Sequence, residues 1–277
     1  MQKIHKALTI AGSDSGAGAG IQADLKTFAA LGVYGTSVIT AITAQNTRGV
    51  TRIFEVDPEL VAAQFDAVMQ DIGADAVKTG MLANSAIIEI VAAKIREYRL
   101  TNLVVDPVMI AKSGDLLLRA DAIETLKSRL IPLAAIVTPN LPEAEQLTGV
   151  HGTRQIDLKE TARRIVGMGA RSVVIKGGHR IGPAIDLFYD GKKFHSFTAA
   201  RVATRNTHGT GCTFSAAIAA NLAKGEKLEQ AVAHAKNYMT AAIRKSFAIG
   251  SGHSPVNHFY FFWSNLETQH LRKKKAR

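Results

Sequence analysis

The chain has 277 residues, 47% of them hydrophobic and 21% charged, an ordinary globular composition with material for a large core. A single cysteine excludes an internal disulfide and favours a reducing compartment, the cytoplasm; the apolar stretch after the basic N-terminus is too short for a signal segment, and no run approaches a membrane span. Lysine and arginine outnumber acids by 34 to 23, but five basic residues fall in the final LRKKKAR, so the excess reads first as a solvated tail and second as attraction for phosphate-bearing ligands. Zinc-finger spacing, an RNA-recognition signature and a basic helix outside the tail are missing, which disfavours nucleic acid as a partner.

In chain order, ALTIAGSD reads as a buried strand that runs through the glycine-rich GSDSGAGAG into a helix, IQADLKTFAALG. A second strand, SVITAITAQN, precedes a helix opened by Asp57, Pro58 and Glu59, a capping residue, a first-turn proline and a dipole-matched acid. Leu60, Val61, Phe65 and Val68 fall roughly on one face of it. The beat continues with ADAVKTGML, AIIEIVAAKIREY, LVVDPVM, AIETLKSRL and AIVTPN. After residue 150 come a helix in ETARRIVGMGA, a buried strand in SVVIKGG, a hairpin turning at Asp190 and Gly191, and two terminal helices. Strand and helix alternating in this way predict an α/β protein, a mostly parallel central sheet with helices on both faces. Neither linker nor repeat divides the chain, so residues 1–265 are read as one domain and 266–277 as a basic tail.

Ligands of open parallel sheets bind outside the carboxyl ends of the strands. Those ends carry Asp14, Gln45, Thr79 with Met81, Asp106, Thr138 with Asn140, and Lys176. The glycines of residues 12–20 either let backbone approach a ligand or merely make a tight turn. Their spacing is not that of a dinucleotide fingerprint, and no Walker-type loop is present. Gly209, Thr210 and Gly211 lead through Cys212 into TFSAAIAANLA, so unpaired amides at a helix N-terminus suit an anion whose charge grows in a transition state. The same field should lower the Cys212 pKa and favour thiolate. A small buried residue at a crowded helix start is the alternative. The stretch after Met109, with Lys112, Ser113 and Gly114, is a loop that could close over substrate.

AGSDSGAGAGIQADLKTFAALG, VITAITAQNT, VKTGML, VVDPVM, TPNLPEAEQLTG, VIKGGH and NTHGTGCTFSAAIAA, in this order along nearly the whole chain, resemble hydroxymethylpyrimidine/phosphomethylpyrimidine kinases of the ribokinase-like superfamily. GTGC marks this branch, since its sugar-kinase relatives typically carry aspartate at the cysteine. Ala17 departs from the glycine common there. The resemblance implies a three-layer ribokinase-like sandwich, a homodimer, and phosphorylation by ATP of 4-amino-5-hydroxymethyl-2-methylpyrimidine and then of its monophosphate, for thiamine biosynthesis. It assigns the amides of Gly209 to Cys212 to an anion hole and sets Cys212 against the hydroxymethyl group, as base by preference or as positioning group. Gly12, Ala19, Gln45, Met81 and Val108 would bind the pyrimidine, and Asp106, Thr138, Asn140 and Lys176 the nucleotide. Asp106 and Glu143 would hold magnesium, Glu143 through water.

Each of these residues also has a structural reading. Glu143 is a first-turn helix acid, Asp106 a loop cap and Lys176 a surface ion-pair partner. Met81 and Val108 are core residues, Asp14 is a turn residue, and His208 orients backbone. A pyridoxine-type kinase and a non-catalytic nucleotide- or vitamin-binding regulator remain as the other readings of the whole.

Overall fold

The computed structural model describes residues 3–110, 117–119, 121–150, 157–178 and 182–263. The loop proposed around Lys112, Ser113 and Gly114, and the basic tail at 266–277, lie outside the described residues.

Among the described residues nine strands form one sheet, in the order β3-β2-β1-β4-β5-β6-β7-β8-β9. From β2 through β1 (Lys6–Asp14), β4 (Ala76–Thr79), β5 (Leu103–Val105), β6 (Ile136–Val137) and β7 (Val173–Ile175) every neighbour is parallel. The hairpin of β8 (Ala184–Tyr189) and β9 (Phe194–Ala199) extends one side antiparallel, as its Asp190-Gly191 turn predicts. On the other side β3 (Val50–Glu55) folds back antiparallel on β2 (Tyr34–Gln45), a strand the sequence reading did not find. Most of its side chains are exposed, so it lacks the apolar face that announces a strand.

Side-chain alternation divides the core into two. Leu8, Ile10, Val77, Leu103, Val105 and Val137 pack on one face, against α2 (Pro58–Asp71), α3 (Ser85–Glu97), the irregular helix begun by α4 (Ala122–Thr125), α5 (Leu141–Thr148) and α6 (Leu158–Gly167). Ala7, Ala76, Val104, Ile136 and Val174 pack on the other, against α1 (Gly20–Ala30), α7 (Thr210–Ala223) and α8 (Leu228–Arg244). This is the expected three-layer α/β sandwich. Helix α7 is apolar on every side because it lies between the sheet and its two helical neighbours, buried from Thr213 to Ala223.

Local chemistry explains the element ends. The Asp57 carboxylate accepts from the Glu59 amide and Pro58 opens α2, as expected. Val61 and Phe65 are buried there, whereas Leu60 is 55% exposed and does not join that face. At α5, Asn140 and Glu143 form a reciprocal capping box: Asn140 Oδ1 accepts from the Glu143 amide at 2.9 Å, and Glu143 Oε2 from the Asn140 amide at 2.7 Å.

Candidate active site

The carboxyl ends of the parallel strands open into a cavity of about 560 Å³ lined by residues of both core faces. Of the residues expected in a site, Gly12, Ala19, Gln45, Met81, Asp106, Val108, Asn140, Glu143, Lys176 and the run from Gly209 to Cys212 all border it. Thr138 does not. It is fully buried, with its hydroxyl 3.0 Å from Asp106 Oδ1 and 2.9 Å from Ser215 Oγ, so it braces Asp106 from behind instead of meeting a nucleotide.

One end of the cavity is built from the first loop. Asp14 closes β1, and its carboxylate accepts from the amides of Gly16, Gly18 and Ala19 at 2.8, 3.1 and 2.8 Å. His208 Nε2 lies 2.9 Å from Asp14 Oδ2. Burial opposes the Asp14 charge, but His208 and these amides outweigh it and hold the carboxyl below its ordinary range. Asp14 is thus a turn residue and also a tie to the loop before α7. At Gly209, φ is +75°, and a Cβ would stand 1.8 Å from the Gly18 carbonyl oxygen, so only glycine lets these two loops touch.

The centre is the N-terminus of α7. No side chain caps this helix, and the first ladder bond runs from the Thr213 amide to Gly209, leaving the Gly211 and Cys212 amides at the positive end of the helix with no intrahelical acceptor. A methyl group added at Gly211 would lie 3.3 Å from Lys176 Nζ and 3.9 Å from Asp106 Oδ2, so amides, ammonium and carboxylate converge on one small volume. Lys176 Nζ is 2.9 Å from Asp106 Oδ1 and 4.0 Å from Glu143 Oε2. Burial works against both the Asp106 and the Lys176 charges. Their mutual attraction prevails, lowering the Asp106 pKa and raising that of Lys176. Glu143 is pushed up to about 7 by burial, which Lys176 only partly offsets.

The expected Cys212 thiolate is corrected by the structure. Burial pushes the thiol up to about 11, although Lys78 favours the anion. The helix field acts on this thiol, but loss of water around it is the larger effect.

Lys78 is a residue the sequence reading passed over. It and Asp24 are wholly buried, with Nζ 2.8 Å from Asp24 Oδ2, and Thr9 Oγ1 donates to the same oxygen at 2.6 Å. Burial opposes the Lys78 charge and Asp24 overcomes it, so Lys78 is held protonated at the cavity floor. The same burial raises Asp24 itself and the nearby Asp106 adds to it, while the Lys78 ammonium and the Thr9 hydroxyl pull the other way. In VKTGML the lysine reads as one more strand residue, and nothing local marks its partner 54 positions earlier.

A parallel sheet whose strand-end lysine and carboxylates face an uncapped helix N-terminus across one cavity has the architecture and chemistry of a ribokinase-like phosphotransferase. The phosphomethylpyrimidine kinase model matches residues 14–257, and the chain belongs to that family. It is 52% identical over 267 residues to the hydroxymethylpyrimidine/phosphomethylpyrimidine kinase of Bacillus subtilis, covering 96% of this chain and 98% of that one. It is 56% identical over 252 residues to the thiamine biosynthesis bifunctional protein ThiED of Geobacter sulfurreducens; that match covers 91% of this chain and only 51% of that longer protein. Among solved structures, an ADP complex of Bacillus subtilis pyridoxal kinase superposes with a TM-score of 0.87 at 42% identity, over 94% of this chain and 99% of the other.

Proposed function

We propose that this chain, folded as one domain over residues 1–265, transfers the γ-phosphoryl group of ATP to the hydroxymethyl group of 4-amino-5-hydroxymethyl-2-methylpyrimidine and then phosphorylates the monophosphate, as in thiamine biosynthesis. The observation that carries this is the convergence of Gly211, Lys176 and Asp106 in the cavity that also holds Gln45 and Cys212. Phosphoryl transfer asks for alignment and charge stabilisation more than covalent chemistry. The Gly211 and Cys212 amides would receive charge developing on the transferring group, and Lys176 would neutralise nucleotide phosphates, with Asn140 beside it. Gln45 would read the ring edge, with Met81 and Val108 as apolar contacts and Gly12 and Ala19 allowing close approach.

Asp106 Oδ2 is a buried oxygen without a hydrogen-bond partner among the described residues, the kind of donor a hydrated cation satisfies. Magnesium keeps most of its waters and needs only one or two carboxylates, so Asp106, with Glu143 acting through water, fits it. Bound there, it would offset charge on the phosphate oxygens. Cys212, protonated near neutral pH, orients the hydroxymethyl group in preference to deprotonating it before attack, which a loose transition state tolerates.

ATP use and an unpaired cysteine suit the reducing cytoplasm. Phe261 and Phe262, 66% and 50% exposed, fit burial in a homodimer, which light scattering on the eluted protein tests. The principal test incubates purified protein with magnesium-ATP and, separately, the pyrimidine, its monophosphate and pyridoxine, and weighs the products by mass spectrometry. Phosphorylation of both pyrimidines is expected. Phosphorylation of pyridoxine alone would replace this reading by the one that the likeness to a pyridoxal kinase favours.

A further inference from the structure

Gln45 ends β2 at the cavity, and its amide can present donor and acceptor in either of two opposite directions. Its neighbours allow only one. Thr43 Oγ1 lies 2.9 Å from the Ser13 carbonyl oxygen and 3.1 Å from Gln45 Oε1, so one hydroxyl proton faces two acceptors. On the other side Gln45 Nε2 lies 3.4 Å from His208 Nε2. Asp14 Oδ2, 2.9 Å from the same ring nitrogen, is an acceptor only while ionised, and three amides together with His208 keep it ionised. His208 Nε2 therefore carries a proton, and two N–H groups point at one another. Turning the Gln45 amide by 180° removes the N–H clash: Thr43 then donates to Ser13 and accepts from Gln45 Nε2, while the His208 Nε2–H keeps Asp14 Oδ2 as its main acceptor and gives Gln45 Oε1, at 3.4 Å, the longer arm of a three-centre bond.

We propose that Asp14, His208 and Thr43 lock the Gln45 amide with its oxygen towards α7 and its nitrogen towards β1, and that this fixed direction makes His208 and Thr43 specificity-determining positioning residues. One N–H and one oxygen lone pair of Gln45 are left for a ligand. That pair matches an aminopyrimidine edge, whose exocyclic amino group donates and whose ring nitrogen accepts, with the amino group on the His208 side. A 4-oxo ring shows the reversed pattern, a carbonyl beside a ring N–H, and the locked amide rejects it. His208 is itself fixed: its amide donates to the Ser254 carbonyl oxygen, and its ring packs where a side chain on Gly18 would otherwise stand, 2.2 Å from Cδ2.

The inference rests on Gln45 reading the ring. The test measures kcat/KM of the full chain for 4-amino-5-hydroxymethyl-2-methylpyrimidine and for its 4-oxo analogue. His208→Leu frees the amide to turn, so the amino-over-oxo preference should fall at least about tenfold, the scale of one mismatched buried hydrogen bond, while the KM for ATP moves less than about twofold. Loss of activity on both substrates in equal proportion would show a merely structural histidine and overturn the lock. Gln45→Ala separates the two levels: if it leaves the preference unchanged, the ring-reading role of Gln45 fails. If it collapses the preference and His208→Leu does not, the lock alone fails. In the double variant no further loss beyond Gln45→Ala is expected. Thr43→Val, which removes the other anchor, decides the matter by the same ratio if His208→Leu does not fold.

Discussion

Cys212 is the chain's one cysteine, so its reactivity can be followed without interference. With the thiol pushed up to about 11, alkylation by iodoacetamide is expected to be slow at pH 7 to 8 and to climb without a plateau towards pH 10; a rate already level by pH 8 would restore the thiolate. Cys212→Ala should lower kcat by less than about 100-fold if the thiol only positions the hydroxymethyl group, against the 10²–10⁴-fold typical of a lost general base. Ala17 offers a second residue-scale case. Its φ is +59°, in the left-handed region, and the Lys26 ammonium donates to its carbonyl oxygen at 2.7 Å. A β-branched side chain tolerates that backbone poorly, so Ala17→Val should cost about 2 kcal/mol in a urea titration, and Ala17→Gly close to nothing.

Helix α5 shows one element serving two ends. Asn140→Ala removes half of the capping box and should cost about 1 kcal/mol. Glu143→Gln keeps an oxygen that can accept from the Asn140 amide but discards the charge. Because the folded acid's pKa is raised from 4.5 to about 7, the native state prefers the protonated form, and the penalty for ionising Glu143 grows as pH rises from about 4.5 and is complete above about 7. The melting temperature of Glu143→Gln relative to the parent should therefore rise between pH 4.5 and 8, and its magnesium requirement should increase. The elements that the sequence made readable are those whose signal is local. Asp57 and Pro58 announce α2, Asp190 and Gly191 the last hairpin, and the strand-end residues the edge where the cavity lies. Strand β3 and the Asp24–Lys78 pair escaped because their reasons are tertiary, an exposed edge against β2 and a salt bridge across 54 residues. The Cys212 pKa went the other way for the same reason: a helix N-terminus is visible in a sequence, while the desolvation that outweighs it is not.

Across the whole molecule, the cavity draws its lining from both apolar layers and needs parts from both ends of the chain. Asp14 and His208 stand 194 residues apart in sequence, and His208 hangs in turn on Ser254. Contacts of that span are closed only after much of the chain has collapsed. During synthesis the sheet from β1 to β7 can assemble while the cavity still lacks one wall. A nascent chain held on the ribosome short of Ser254 is thus expected to be catalytically silent, and turnover should begin only when the last loop has cleared the exit tunnel.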